Sequence, residues 1–141
     1  MHFKSKNDPL FLFVFICVHV LCIGLFLYIL VLAGLNKDTW WPLLLLFLVE
    51  LLFISIQKFT YYEIKQNLLV ARSGPIKISV KIAEIKSIKS PTTAWVGMRL
   101  AKSRNGMKVR YKSYSEIYIS PEKEGEFISQ LQKINPEIEL L

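Results

Sequence analysis

Histidine and cysteine are scarce in this chain and badly placed for chemistry. Of 141 residues two are His and two are Cys, and all four (His2, Cys17, His19 and Cys22) fall within the first 22. Everything after Cys22 therefore lacks the commonest general base, the usual zinc ligands and any thiol nucleophile. His19 and Cys22 share a helical face but Cys17 diverges from it, so no metal site is expected. No Gly-x-x-x-x-Gly-Lys, Gly-x-Ser-x-Gly or His-Glu-x-x-His occurs, which leaves phosphate-loop, serine-hydrolase and zinc-protease chemistries without a motif. No disulfide framework can be built, in keeping with a reducing compartment. No catalytic residue, cofactor site or enzyme activity is expected.

Charge is missing in blocks. No Lys, Arg, Asp or Glu lies between Pro9 and Asn36, and from Thr39 to Gln57 only Glu50 is charged. About 20 apolar residues cross a hydrocarbon core of roughly 30 Å. The runs at about 10–35 and 40–57 thus read as two membrane spans. The first is too long for a signal-peptide core, and Leu32-Ala33-Gly34-Leu35 offers no small-x-small cleavage site. Thr39-Trp40-Trp41-Pro42 opens the second with a capping hydroxyl, interfacial aromatics and an N-terminal proline. Only Asn36-Lys37-Asp38-Thr39 joins the runs, which forces an antiparallel hairpin. Lys4, Lys6, Lys58 and Lys65 flank the hairpin at one end and Lys37 alone at the other. A multi-pass protein of the cell membrane with both termini cytoplasmic follows.

Glu50 is the residue that costs energy where it sits, since a bare carboxylate at mid-bilayer is unfavourable by about 2.5 kcal/mol or more. In a hairpin closing at 36–39, Glu50 lies level with Gly24 and Leu25, and Tyr28 is one turn away. Tyr28 is its expected partner, with His19 about 9 Å further along at 1.5 Å per residue. Two roles are open to it. One is a proton or substrate relay, and the other a hydrogen bond holding the helices or a homo-oligomer together.

From residue 58 to 141 the period changes to two. Ile76, Ile78, Val80 and Ile82 alternate with Lys77, Ser79 and Lys81, the pattern of a strand with one wet face. Further strands are expected at Thr60–Lys65, Leu68–Arg72, Ile85–Ser90, Met107–Tyr111 and Glu116–Ser120. Turns are expected at Gln66-Asn67, Ser73-Gly74-Pro75, Ser90-Pro91 and Asn105-Gly106, the last as a type I′ hairpin. Ser120-Pro121-Glu122 reads as an N-cap, and Phe127, Ile128, Leu131 and Ile134 recur at helical spacing until Asn135-Pro136. An antiparallel sheet domain closed by one C-terminal amphipathic helix results, a membrane α+β protein when joined to the hairpin.

Tyr61-Tyr62-Glu63-Ile64, Leu69-Val70-Ala71-Arg72-Ser73-Gly74-Pro75, Ile82-Ala83-Glu84-Ile85-Lys86-Ser87-Ile88 and Ile119-Ser120-Pro121-Glu122 through Glu126-Phe127 to Asn135-Pro136 together resemble the bacterial PH-like domain of YyaB-like membrane proteins. That family similarly places two transmembrane helices ahead of the domain. The resemblance implies a PH-like fold in a membrane setting and supplies no enzymatic activity to carry over. Between Trp95 and Gly106 the chain departs from it with a longer, basic segment.

The remaining signal is cationic. Lys58 to Lys112 holds 13 Lys and Arg against Glu63 and Glu84, whereas Ser113 to Leu141 holds Lys123 and Lys133 against six Glu. Met107, Val109 and Tyr111 alternate with Lys108, Arg110 and Lys112, and Lys102 and Arg104 are expected across the Asn105-Gly106 hairpin. These five cations form the candidate binding face for anionic lipid headgroups or an acidic protein partner. No recognition helix or stacking aromatics argue for nucleic acid. The expected role is a membrane-anchored binding or scaffold module; the alternative is a small immunity, stress-response or transport component acting through the membrane segment around Glu50.

Overall fold

A computed structural model describes residues 1–93 and 97–141. Two helices open the fold after a short N-terminal strand, β1 (His2–Lys4): α1 (Pro9–Leu32) and α2 (Trp40–Lys58). Both are long and apolar enough to cross a membrane. Asp8 caps α1 by accepting from the Leu10 N–H, with Pro9 at the first helical position where its missing N–H costs nothing. Thr39 does not cap α2 as expected. Its hydroxyl instead donates to the Gly34 carbonyl at 2.7 Å, knitting the connecting turn.

The sheet domain contains β2 (Thr60–Lys65), β3 (Leu68–Ser73), β4 (Ile76–Lys81), β5 (Ile85–Thr92), β6 (Met98–Arg99), β7 (Gly106–Tyr111), β8 (Ser115–Ile119) and β9 (Glu139–Leu140). A 3-10 turn at Ile82–Glu84 precedes β5, and α3 (Glu124–Ile134) precedes β9. The strands form two sheets, ordered β1-β2-β3-β4 and β6-β8-β7-β5-β9. Pairings along the chain are antiparallel, as the alternation implies, while the two-residue edge strands β6 and β9 join in parallel. The inner faces enclose one apolar cluster that includes Tyr62, Leu69, Ile82, Ile88, Met107, Val109, Ile117, Ile119, Phe127 and Leu131.

Four expectations about the domain are corrected. Ser90-Pro91, expected as a turn, lies inside β5, which runs on to Thr92. The division at residue 58 leaves out β1, which pairs with β2 through Phe3 and Tyr62. Phe3 also packs edge-on against Phe127, ring centres 5.1 Å apart. The segment before α1 is thus part of the sheet domain. That pairing in turn delays α3: Ser120 O accepts from Lys6 N, Pro121 bridges Ser5, and Glu122 N donates to Lys4 O. With these backbone groups engaged, residues 120–122 stay outside the helix, which begins at Glu124 rather than at Pro121.

Asn105-Gly106 is not a type I′ turn, because neither residue has positive φ. Gly106 begins β7, and a Cβ there would collide with the Ile119 carbonyl of β8. Glycine is required by close backbone approach rather than by a left-handed turn. Of the stretch from Trp95 to Gly106, Trp95 and Val96 lie outside the described residues; Met98–Arg99 form β6 and residues 100–105 carry no regular structure.

Buried hydroxyls and one amide tie the domain together. Tyr62 is fully buried, donates its hydroxyl proton toward Leu100 O at 2.5 Å, and accepts from Ser120 N at 3.1 Å, while Ser5 Oγ lies at 3.2 Å. Burial raises its pKa above the ordinary tyrosine value, opposed by the bonds from Ser5 and Ser120. Asn135, at the end of α3, donates to the carbonyls of Ile82 and Ile85 at 3.0 and 3.1 Å. It satisfies the 3-10 turn that breaks the sheet between β4 and β5.

Candidate functional site

Two regions carry the residues singled out in the sequence. The first is the seam between α1 and α2. Phe15, His19, Cys22 and Phe26 recur on α1 at spacings of four, three and four, which puts them on one face. Phe15 and Cys22 are buried there. Phe15 meets Phe53 of α2 edge-on at 5.9 Å. Glu50 Oε1 lies 2.6 Å from Nδ1 of His19, whose side chain is about one-fifth exposed. The expected partner, Tyr28, is instead exposed and away from the seam.

The reason is register. The helix was expected to run to Leu35, but it ends at Leu32 and residues 33–39 form the connection. Level positions therefore slide toward the start of α1: Glu50 sits opposite Cys22, and His19 is one turn below on the same face. Glu50 Oε2 is buried with no hydrogen-bond partner among the described residues. Beside it a groove of about 220 Å³ runs along Cys22, Phe26, Leu46 and Phe47. Nδ1 of His19 likewise has no hydrogen-bond partner among the described residues, so the 2.6 Å approach is a close contact of two polar atoms within an otherwise apolar seam.

The second region is the end of the domain that meets the helices. Asp8, which caps α1, accepts from Nε of Arg104 at 3.1 Å and from its backbone N–H at 3.2 Å. The Leu10 N–H, followed by Arg104, holds the Asp8 carboxyl below the usual carboxylate range. Lys102 Nζ donates to Gln57 O at 3.0 Å, in the last turn of α2. Burial pushes its ammonium down from the ordinary lysine value, opposed by Glu122. Around them the junction is tight. Gly74, at φ +56°, lies so close to α2 that a Cβ would stand 2.9 Å from Ile56 Cγ1, and Thr60 Oγ1 donates to Ile56 O at 2.5 Å.

The five candidate cations do not form one patch. Alternation on β7 holds, with Met107 and Val109 buried and Arg110 exposed, but Lys102 and Arg104 are not on a strand paired with it. Gly106 begins β7 beside Ser120, so at about 3.4 Å per residue Lys108 is roughly 7 Å and Lys112 roughly 20 Å further from the junction. Lys112 lies past the end of the strand at φ +53°, its N–H on Glu84 O.

Glu116 on β8, which the sequence reading overlooked, takes Lys108 Nζ and Arg110 Nη2 at 3.0 Å each. Lys108, then Arg110, holds its carboxyl below the usual range. The signal was available, since the strand pairing places Glu116 directly opposite Arg110.

Sequence comparison agrees with this architecture. The family described as bacterial PH domain matches residues 60–135, from the first residue of β2 to the Asn135 that ends α3. The chain is also 29% identical over 109 residues, 77% of its own length and 75% of the relative's, to a Bacillus subtilis (strain 168) protein described as uncharacterized protein YyaB. No solved structure matches. With two sheets, the closing helix and the family match over more than half of its length, this chain belongs to the bacterial PH domain family.

Proposed function

We propose that the chain is a membrane-anchored, non-catalytic binding module: two spans with both ends cytoplasmic, presenting a PH-like domain whose helix-proximal end engages the anionic bilayer surface. The observation that carries this reading is the shared location of the helix ends and the cations. Lys102 is bonded to the last turn of α2, and Arg104 to the cap of α1. With the spans in a bilayer, both lie at headgroup depth. Each cation near an anionic surface contributes about 1 kcal/mol, screened over a Debye length of about 10 Å at 0.1 M salt. Lys108, Arg110 and Lys112 stand further out; Lys108 and Arg110 share Glu116 much as Arg104 is paired with Asp8, so it is their distance from the helix ends that makes their contribution smaller.

Hydrogen exchange on the full chain in lipid nanodiscs tests it. Raising phosphatidylglycerol at the expense of phosphatidylcholine should slow exchange across residues 97–106, and salt should reverse the effect. Equal exchange in both lipids would refute surface engagement. For topology, Lys112→Cys should react with an impermeant thiol reagent only after cells are opened.

A second reading is favoured by the His19–Glu50 contact: action through the membrane segment, by proton transfer or by assembly of several copies. Glu50→Gln separates the two. Lost biological effect in a protein that still inserts and folds would move the function into the helices.

A further inference from the structure

Where the helices meet the domain, the start of α1, the end of α2 and two sheet edges enclose a groove of about 280 Å³. Its apolar wall includes Phe11, Leu52, Ile56 and Ile76, and Arg99 and Lys102 line the same space. Arg99 lies with its guanidinium carbon 4.7 Å from the centre of the Phe11 ring and 5.1 Å from that of Tyr118, and its Nη2 donates to Ser103 O at 2.8 Å. These contacts hold the fork in place at the groove. Lys102 carries three donors, and Gln57 O takes one. Burial already holds its ammonium below the ordinary lysine value, so an anion beside it would restore what desolvation removes.

We propose that this groove holds one anionic phospholipid, with the phosphate between Lys102 and Arg99 and one acyl chain along Phe11, Leu52, Ile56 and Ile76. The shape and charge match that occupant. An apolar channel opening beside two cations, at the level where two membrane-length helices end, accepts a molecule with an anionic head and an apolar tail. The groove falls just under the ligand-pocket range that starts at about 300 Å³, so it takes a phosphate and part of one chain while the rest stays in the bilayer. This inference rests on the two-span reading above and narrows it from a charged surface to a discrete site.

Native mass spectrometry of the full chain, purified in detergent and titrated with phosphatidylglycerol or phosphatidylcholine, provides the test. One phosphatidylglycerol should be retained per chain under conditions that strip phosphatidylcholine. Lys102→Gln should weaken retention about tenfold, the size of one charge-assisted contact. Ile76→Glu, at a half-exposed position on the groove wall that tolerates a polar residue, should abolish it, whereas Lys112→Glu should leave it unchanged. Equal retention of the two lipids, no retained lipid, or indifference to both Lys102→Gln and Ile76→Glu would overturn the site. Full displacement by inorganic phosphate would also overturn it, since the tail would then contribute nothing. Slowed exchange at 97–106 with no retained lipid would sink the groove alone, while failure of both measurements would remove the surface reading as well.

Discussion

The helical hairpin and the sheet domain bury their residues on different principles. In the domain, Tyr62, Leu69, Ile82, Leu100, Met107, Val109, Phe127 and Leu131 are among many fully buried side chains, and buried polar groups such as Tyr62, Ser120 and Asn135 are hydrogen-bonded. In the hairpin only Phe15, Cys22 and Leu43 are buried, although nearly every side chain is apolar. Where everything is apolar, hydrophobicity cannot say which face turns inward. The polar pair His19 and Glu50 marks the seam, because a carboxylate costs most where it has no partner.

The largest expected break is therefore in the domain. Phe127→Ala removes a fully buried ring packed on Phe3 and Tyr62 and should cost about 3–5 kcal/mol, enough to melt the domain near room temperature. Phe53→Ala on the seam should shift the thermal midpoint of the full chain far less. Circular dichroism melts in detergent compare the two.

Tyr62→Phe comes next. It strips Ser120 N and Leu100 O of their buried partner, at about 1–3 kcal/mol. Hydrogen exchange should rise first at residues 2–6 and 118–122, which the hydroxyl joins. Uniform destabilisation without that local signature would show that the hydroxyl does not couple β1 to β8.

In the hairpin, Glu50→Gln should cost under about 1 kcal/mol, in line with polar pairs in membrane helices. Tyr28→Phe should cost nothing measurable by the same melts. A larger loss for Tyr28→Phe would restore the register in which Tyr28, not His19, faces Glu50.

The smallest effect is the acid limb of domain stability from Glu116. Its folded pKa lies below the ordinary glutamate value of 4.5. The stabilisation is thus present above that value and fades as pH falls through the folded pKa. Glu116→Gln should flatten the unfolding midpoint between about pH 5 and pH 3, more visibly at low salt because the pair is solvent-exposed. An unchanged pH profile would show that Lys108 and Arg110 gain nothing from this carboxylate.

Local pattern sufficed wherever a segment's neighbours in sequence are also its neighbours in space. The two long helices, the strands β2, β3, β4, β5, β7 and β8, the turns at Gln66-Asn67 and Ser73-Gly74-Pro75 and the apolar stripe of α3 were all legible from period, length and turn chemistry. Tertiary structure decided the remainder. β1 joins β2 across nearly sixty residues, and no periodicity is readable in three residues. Gly106 is needed for a backbone that approaches from β8, not for its own turn. His19 reaches Glu50 because α1 stops three residues early, and at 1.5 Å per residue that end point determines which side chains lie level. The cations divide between the helix junction and Glu116 because register, invisible in composition, chooses each charge's partner.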